Sequence, residues 1–173
     1  SLKQAAEDYP DRVSACYGKL ARTEKDAINA LNTMLAQDGL FIYVPRGVVV
    51  ERTLQVVNIL RSDVDLMANR RVLVVLEENA QARLLFCDHA MDDCNFLTTQ
   101  VVEVFAAENA RLELYELEET HVKNRRFSNM YVRQQRGSVV NLYNITLHNG
   151  LTRNRTDLVV GRAKEPSRTS AAW

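Results

Sequence analysis

A short segment recurs along this chain at intervals of 28 residues: Ala-Arg-Leu-Leu-Phe from Ala82, Ala-Arg-Leu-Glu-Leu from Ala110 and Ser-Val-Val-Asn-Leu from Ser138. Aligned this way, Leu84, Leu112 and Val140 fall in one apolar column, and Phe86, Leu114 and Leu142 fall in the next. Leu85, Glu113 and Asn141 sit between the columns, so the alternation is imperfect but visible. A polar turn, EENAQ, AAEN or QQRG, precedes each copy. A repeated strand-and-turn unit of this size buries its apolar face only against neighbouring copies, which predicts stacked coils of a solenoid. An antiparallel sandwich with strands of similar length is the alternative.

The texture on either side supports a mainly β chain with helices ahead of it. From Leu40 to Val160 come short runs such as LFIYV, LQVVNIL, RVLVVLE, VVEVF and SVVNLYNITLH, rich in β-branched and aromatic residues. No helix of three turns separates them, which argues against an alternating helix and strand fold. The first forty residues read as helical. Thr23 with Asp26 resembles a capping box, Ile28, Leu31 and Leu35 form an apolar stripe, and Gly39 follows as a C-cap, predicting a helix over about 24–37. Pro10 breaks a weaker pattern and leaves a second short helix near 11–20. The organisation expected is a helical segment over 1–39, a partial β core over 40–161 and an irregular tail over 162–173.

Charge excludes some functions. The 22 basic and 22 acidic side chains balance, giving no electrostatic reason for a nucleic-acid or anionic-membrane partner. There is no apolar run of roughly eighteen residues, and SLKQAAEDYP is neither a basic leader nor a signal core, so a cytoplasmic location is expected. Cys16, Cys87 and Cys94 are an odd number without a disulfide-framework spacing, as in a reducing compartment.

The densest set of possible metal ligands is Cys87, His89 and Cys94, within CDHAMDDC. Thiolate and imidazole suit zinc and iron–sulfur centres, and Cys87 and His89 point the same way on an extended strand. The spacing matches no closed zinc or ferredoxin pattern, and a small buried cysteine closing a strand is the ordinary reading. His121 and His148 are read as turn or surface residues, and Glu113, Glu116, Glu118 and Glu119 as a solvated acidic face. No phosphate loop, nucleophile elbow or HExxH helix occurs. No catalytic residue is assigned.

The segments GLFIYVPRGVVVE, NILRSDVDLMANRR, EENAQARLLFCDHAMDD, FLTTQVVEVF, YELEETH and TLHNGLTRN together resemble the SufB/SufD family of iron–sulfur cluster assembly scaffolds, closest to its SufD branch. The resemblance runs from about Tyr17 to Gly161. It implies a right-handed parallel β-helix flanked by helices, with no enzyme chemistry of its own. It also implies a scaffold subunit working with a SufB-like partner and a SufC-like ATPase, with an iron–sulfur cluster belonging to the full complex and no cofactor in the isolated chain. The helical segment that engages the ATPase and the late Cys-x-His segment of the family have no counterpart here, so no functional residue carries over. The alternative is a β-helix carbohydrate-active lyase or hydrolase, which would place carboxylates and basic residues on one sheet face. After Gly161 the tail GRAKEPSRTSAAW leaves both the strand texture and the resemblance. A polar terminus and a shifted coding frame near Arg162 both account for that break, and the nucleotide sequence distinguishes them.

Overall fold

The computed structural model describes residues 1–162 and 165–171, the last stretch as backbone. Three short α-helices come first: α1 (Leu2–Asp8), α2 (Pro10–Cys16) and α3 (Ala27–Leu35), with a 3-10 turn at Thr23–Lys25. Ten strands follow: β1 (Gly39–Val44), β2 (Leu54–Leu60), β3 (Leu66–Leu76), β4 (Gln81–Ala90), β5 (Phe96–Ala106), β6 (Arg111–Glu119), β7 (Asn124–Gln134), β8 (Val139–His148), β9 (Leu151–Arg162) and β10 (Glu165–Ala171). Odd-numbered strands β1 to β9 stack in one sheet and even-numbered β2 to β8 in the other, all parallel within their sheets. Each coil thus lends one strand to each sheet. This is the parallel β-solenoid that the repeat predicts.

β10 closes the larger sheet by pairing antiparallel with β9. The expected irregular tail therefore includes a strand at Glu165–Ala171, and its remaining positions beyond Arg162 lie outside the described residues.

Between the sheets runs a continuous apolar core: Val72, Val74 and Leu76 of β3, Leu84 and Phe86 of β4, Val102 and Val104 of β5, Leu112 and Leu114 of β6, and Met130 and Val132 of β7. Burying each such side chain contributes about 1.5–3 kcal/mol. The two sheets read differently in sequence for a physical reason. On the six-stranded sheet the outer face is covered by the N-terminal helices, where Leu73 packs with Leu2, Ala5 and Val13, and Val101 and Tyr131 pack with Ala21. Strands buried on both sides show near-continuous apolar runs. The four-stranded sheet keeps a solvent-facing side, so β6 alternates cleanly between buried and less buried residues.

The register refines the repeat. Leu84 lies beside Leu114 and Leu54 beside Leu84, a spacing of 30, whereas Leu114 lies beside Leu142, a spacing of 28. The alignment of Ala82 with Ala110 is thus displaced by two residues, and Ala80 is the true counterpart of Ala110. Because side chains alternate with period two, a slip of two keeps the inward set inward and leaves the apolar columns intact. In the six-stranded sheet the coils shorten steadily: Gly39 lies beside Arg71, Leu66 beside Phe96, Phe96 beside Asn124 and Arg125 beside Leu151.

The polar turns occupy one corner of the solenoid, as expected. Gly47, Asn79, Asn109 and Gly137 all have positive φ, at 70°, 59°, 58° and 70°. Each is the third residue of a β-turn, and the N–H groups of Gly47, Asn79 and Asn109 donate to the carbonyls of Glu78, Glu108 and Arg136 on the next coil. Glycine and asparagine are the residues that tolerate this backbone region.

The helical segment differs from its sequence reading in three respects. Asp26, not Thr23, caps α3, accepting from the N–H groups of Ile28 and Asn29. Pro10 divides the helical pattern as expected, but α2 starts on Pro10 itself, where its missing N–H costs nothing, and ends at Cys16, short of the expected 20. The helix buries Asn29 and Asn32 while Leu35 is exposed, and Gly39 opens β1 where a Cβ would strike the Arg71 carbonyl.

Candidate functional site

Cys87 and His89 do project from the same face of β4, the outer face of the four-stranded sheet. Cys87 is sealed there and accepts a hydrogen bond from Gln55 Nε2 at 3.4 Å. His89 faces Glu119 on the next coil, with Nδ1 3.6 Å from the carboxylate. Cys94 lies away from them in the loop between β4 and β5, and its thiol donates to the Ser62 carbonyl at 3.1 Å. Among the described residues no three His, Cys, Asp or Glu side chains are gathered so as to hold a metal ion. His121 sits in the turn after β6, 3.0 Å from Asp93, which also binds Lys123. His148 lies beside Glu119, brought into step by a bulge at Leu147.

The solvated acidic face divides in two. Glu113 and Glu119 face outward, but Glu116 and Glu118 share strand parity with Leu112 and Leu114 and point into the solenoid. There they meet a cation. Arg126 of β7, 3% exposed, reaches Asp88 at 3.3 Å, Glu116 at 3.4 Å and Glu118 at 3.7 Å. Arg70 forks onto the same Asp88, with Nη2 to Oδ2 at 2.6 Å, and Asn58 donates to its other oxygen at 2.9 Å. Gln100 bridges Glu116 and Ser128, while Thr146, Thr152 and Asn149 donate to Glu118.

Two guanidiniums and three carboxylates therefore fill one end of the lumen, where the apolar core stops. Buried charges persist only when paired and hydrogen-bonded, and here the partners come from strands β2 to β9. Burial acts to raise the Asp88 carboxyl, but the hydrogen bond and charge of Arg70, together with Arg126 and Asn58, hold it below the usual carboxylate range. Burial pushes Glu118 above that range, with Asp88 adding repulsion against the opposing pull of Arg126 and Thr152. A space of ≈ 170 Å³ at the first-coil end, bordered by Asn58, Arg70 and Gln100, opens toward this cluster. The sequence reading missed Arg70, Asp88 and Arg126, although each falls on the inward parity of its strand.

A second buried ion pair fastens the helical cover to the six-stranded sheet. Glu103 binds Arg71 at 2.6 Å and also accepts from the N–H groups of Gly18, Leu20 and Ala21. Asn29 and Asn32 of α3 bond Tyr131 and Thr99, and Asp26 receives Asn129 and Arg155. The helices and solenoid are thereby joined by polar contacts specific in direction. No helix among the described residues is long and apolar enough to cross a membrane.

Comparison with known proteins finds two consecutive family regions along the chain, meeting within β2. Residues 1–56, the helical cover and first strand, match the SufBD protein N-terminal region. Residues 58–167 match the SufBD core domain of the SUF iron–sulfur cluster assembly system, continuing past Gly161. The chain is 31% identical over 114 residues to the iron–sulfur cluster assembly SufBD family protein slr0074 of Synechocystis sp., covering 65% of this chain and 24% of that protein. It is 29% identical over 117 residues to the SufBD family protein ycf24 of Trieres chinensis, covering 65% of this chain and 23% of that one. It is 28% identical over 114 residues to the SufBD family protein ABCI9 of Arabidopsis thaliana, covering 65% and 24%. The chain thus spans about a quarter of the length of the curated relatives it matches. With its helical cover and its solenoid both matched, the chain belongs to the SufBD family of iron–sulfur cluster assembly proteins.

Proposed function

We propose that this chain serves as a non-catalytic scaffold segment in iron–sulfur cluster assembly, of the SufD type, acting in the cytoplasm beside a SufB-like subunit and a SufC-like ATPase. The observation that carries this reading is the unbroken sequence of the two family regions across residues 1–56 and 58–167. The charged interior is consistent with a structural role, because each of its ions is held by the opposite charge on a strand of the facing sheet. On this reading the cluster is cargo of the assembled complex.

The test is coexpression of the chain with SufB-like and SufC-like subunits, followed by affinity capture through a tag on the chain. Retention of the SufB-like subunit, with reconstituted cluster absorbance in the complex and none in the chain alone, is the expected result. Capture of neither subunit, or catalytic turnover by the isolated chain, overturns the proposal.

A further inference from the structure

The helical cover of the six-stranded sheet stops short of the strand starts. Helix α3 crosses at the level where Asn29 bonds Tyr131 and Asn129 and Asn32 bonds Thr99. Ahead of that level lies a band of outward positions open to solvent, in which Leu97 and Phe127 are half-buried and Arg125, Leu151 and Arg153 exposed. Their parity with Thr99, Tyr131 and Arg155 sets them on this face. The register places Leu97, Arg125 and Leu151 in one ladder and Phe127 beside Arg153 in the next.

One flank of α3 walls this band. At about 100° per residue, Ile28, Leu31 and Leu35 share a flank, roughly a quarter turn from the buried Asn29 and Asn32. Thr33 lies on the opposite flank, where its hydroxyl accepts from Arg71 at 3.4 Å, on the side of Glu103 and the turn after α2. The apolar flank therefore faces the strand starts. Leu35 is 40% exposed there, and Ile28 and Leu31 are only half-buried. Leu97 stands two residues before Thr99 and Arg125 four before Asn129, about 7–13 Å along the strands. A helix packed beside α3 at the usual spacing of about 8–10 Å fits that width.

Charge names the kind of helix. Arg46, Arg83, Arg136 and Arg155 each pair with a carboxylate, whereas Arg125 and Arg153 meet none among the described residues. No acidic side chain takes an outward position within the band. At its rim Asp65 is held by Asn95, and Asp93 by Lys123 and His121. We propose that this groove takes an acidic amphipathic helix of another protein, which lies beside α3 and completes the cover. Its apolar stripe packs on Leu97, Phe127 and Leu31, and its carboxylates reach Arg125 and Arg153, the helix-in-groove mode of recognition. Both arginines lie toward β7 and β9, where α3 begins. A cationic end suits a helix C-terminus, so the docked helix runs antiparallel to α3.

The test uses the full chain and a fluorescein-labelled helical peptide of about fourteen residues, long enough to cross four strands. The peptide carries leucines at i, i+3, i+4 and i+7 with glutamates beside them, and a twin carries lysines in place of the glutamates. In fluorescence anisotropy the glutamate peptide binds at micromolar concentration and the lysine peptide roughly tenfold more weakly. Arg125→Glu combined with Arg153→Glu reverses that preference. Leu35→Asp, at an exposed position, weakens binding of the glutamate peptide, and Arg136→Glu, on the turn corner, leaves it unchanged. Circular dichroism verifies that each variant keeps its strands. No binding of the glutamate peptide at millimolar concentration overturns the proposal. So does equal binding of the two peptides, and so does undiminished binding by the double variant. Self-association of the chain in sedimentation equilibrium, abolished by the same two substitutions, would give the groove to a second copy and overturn it as well.

Discussion

Arg71 and Glu103 meet on the outer face of the six-stranded sheet, 2.6 Å apart with side chains 2% and 0% exposed, although the strand register sets Arg71 beside Val101. The carboxylate thus reaches diagonally to the guanidinium while also accepting three backbone N–H groups from the turn after α2. Arg71 stacks in addition on the Tyr17 ring, 4.6 Å from its centroid. Glu103→Ala strands a buried cation and three donors together. A loss of about 3–5 kcal/mol in chemical denaturation is expected, with new protease cleavage in the Tyr17–Arg22 stretch. Equal protection of that stretch in the variant would contradict this role.

Asp88 joins Arg70 and Arg126, so Asp88→Asn leaves both under-compensated and costs about 3–5 kcal/mol at neutral pH. Since the folded carboxyl is held below its ordinary range, its contribution is present above that range and is lost as pH falls through the lowered value. Urea titrations should find the gap between variant and wild type closing as the solution is made acid.

Glu118 has the opposite sign. Its folded carboxyl binds a proton more tightly than the unfolded one, so stability is full below the ordinary carboxylate range and declines as pH rises through the raised value. Glu118→Gln removes that decline. Melting temperatures followed across this window should diverge in favour of the variant as pH increases, by about 2–4 °C for each kcal/mol.

Two glycines of the turn column separate backbone strain from crowding. Gly47 and Gly137 share φ of 70°, but an added Cβ meets nothing within 4 Å at Gly47 and collides with the Asn109 side chain at Gly137. Gly47→Ala should cost about 1–2 kcal/mol through its backbone alone, and Gly137→Ala distinctly more. Equal thermal shifts would remove the crowding argument.

Cys87 is sealed beside Gln55, and Cys94 is bonded to Ser62 in a separate loop. Protein purified without added metal should therefore contain no stoichiometric zinc or iron. Metal analysis of wild type and Cys87→Ser should agree; metal present in the first and absent in the second would identify a site.

Strand texture and apolar columns were readable because period-two burial leaves its mark on every coil. The register was less so, since Ala82 and Ala80 both align plausibly with Ala110 and only the backbone pairing chooses. The interior cluster escaped because Glu116 and Glu118 were read by residue type, as solvated acids, when their parity with Leu112 and Leu114 pointed inward. Arg126 gives its partners no local signal at all, since Asp88 is brought to it across the lumen. The asparagine face of α3 was hidden for a related reason: Asn29 and Asn32 are buried because the sheet beneath offers Tyr131 and Thr99, which helical periodicity cannot foresee.

The steady shortening of the coils has a consequence for how such a chain can change over generations. Between successive strands of the six-stranded sheet the offset falls by two residues each time, from Gly39 beside Arg71 to Arg125 beside Leu151. Deleting residues in pairs at a corner keeps every downstream side chain on its face, whereas deleting one exchanges lumen for surface along the following strand. The odd residue that does occur, Leu147, is taken up as a bulge at the very end of β8. Insertions and deletions in this lineage should thus obey an even-number grammar within coils, with odd lengths confined to strand ends.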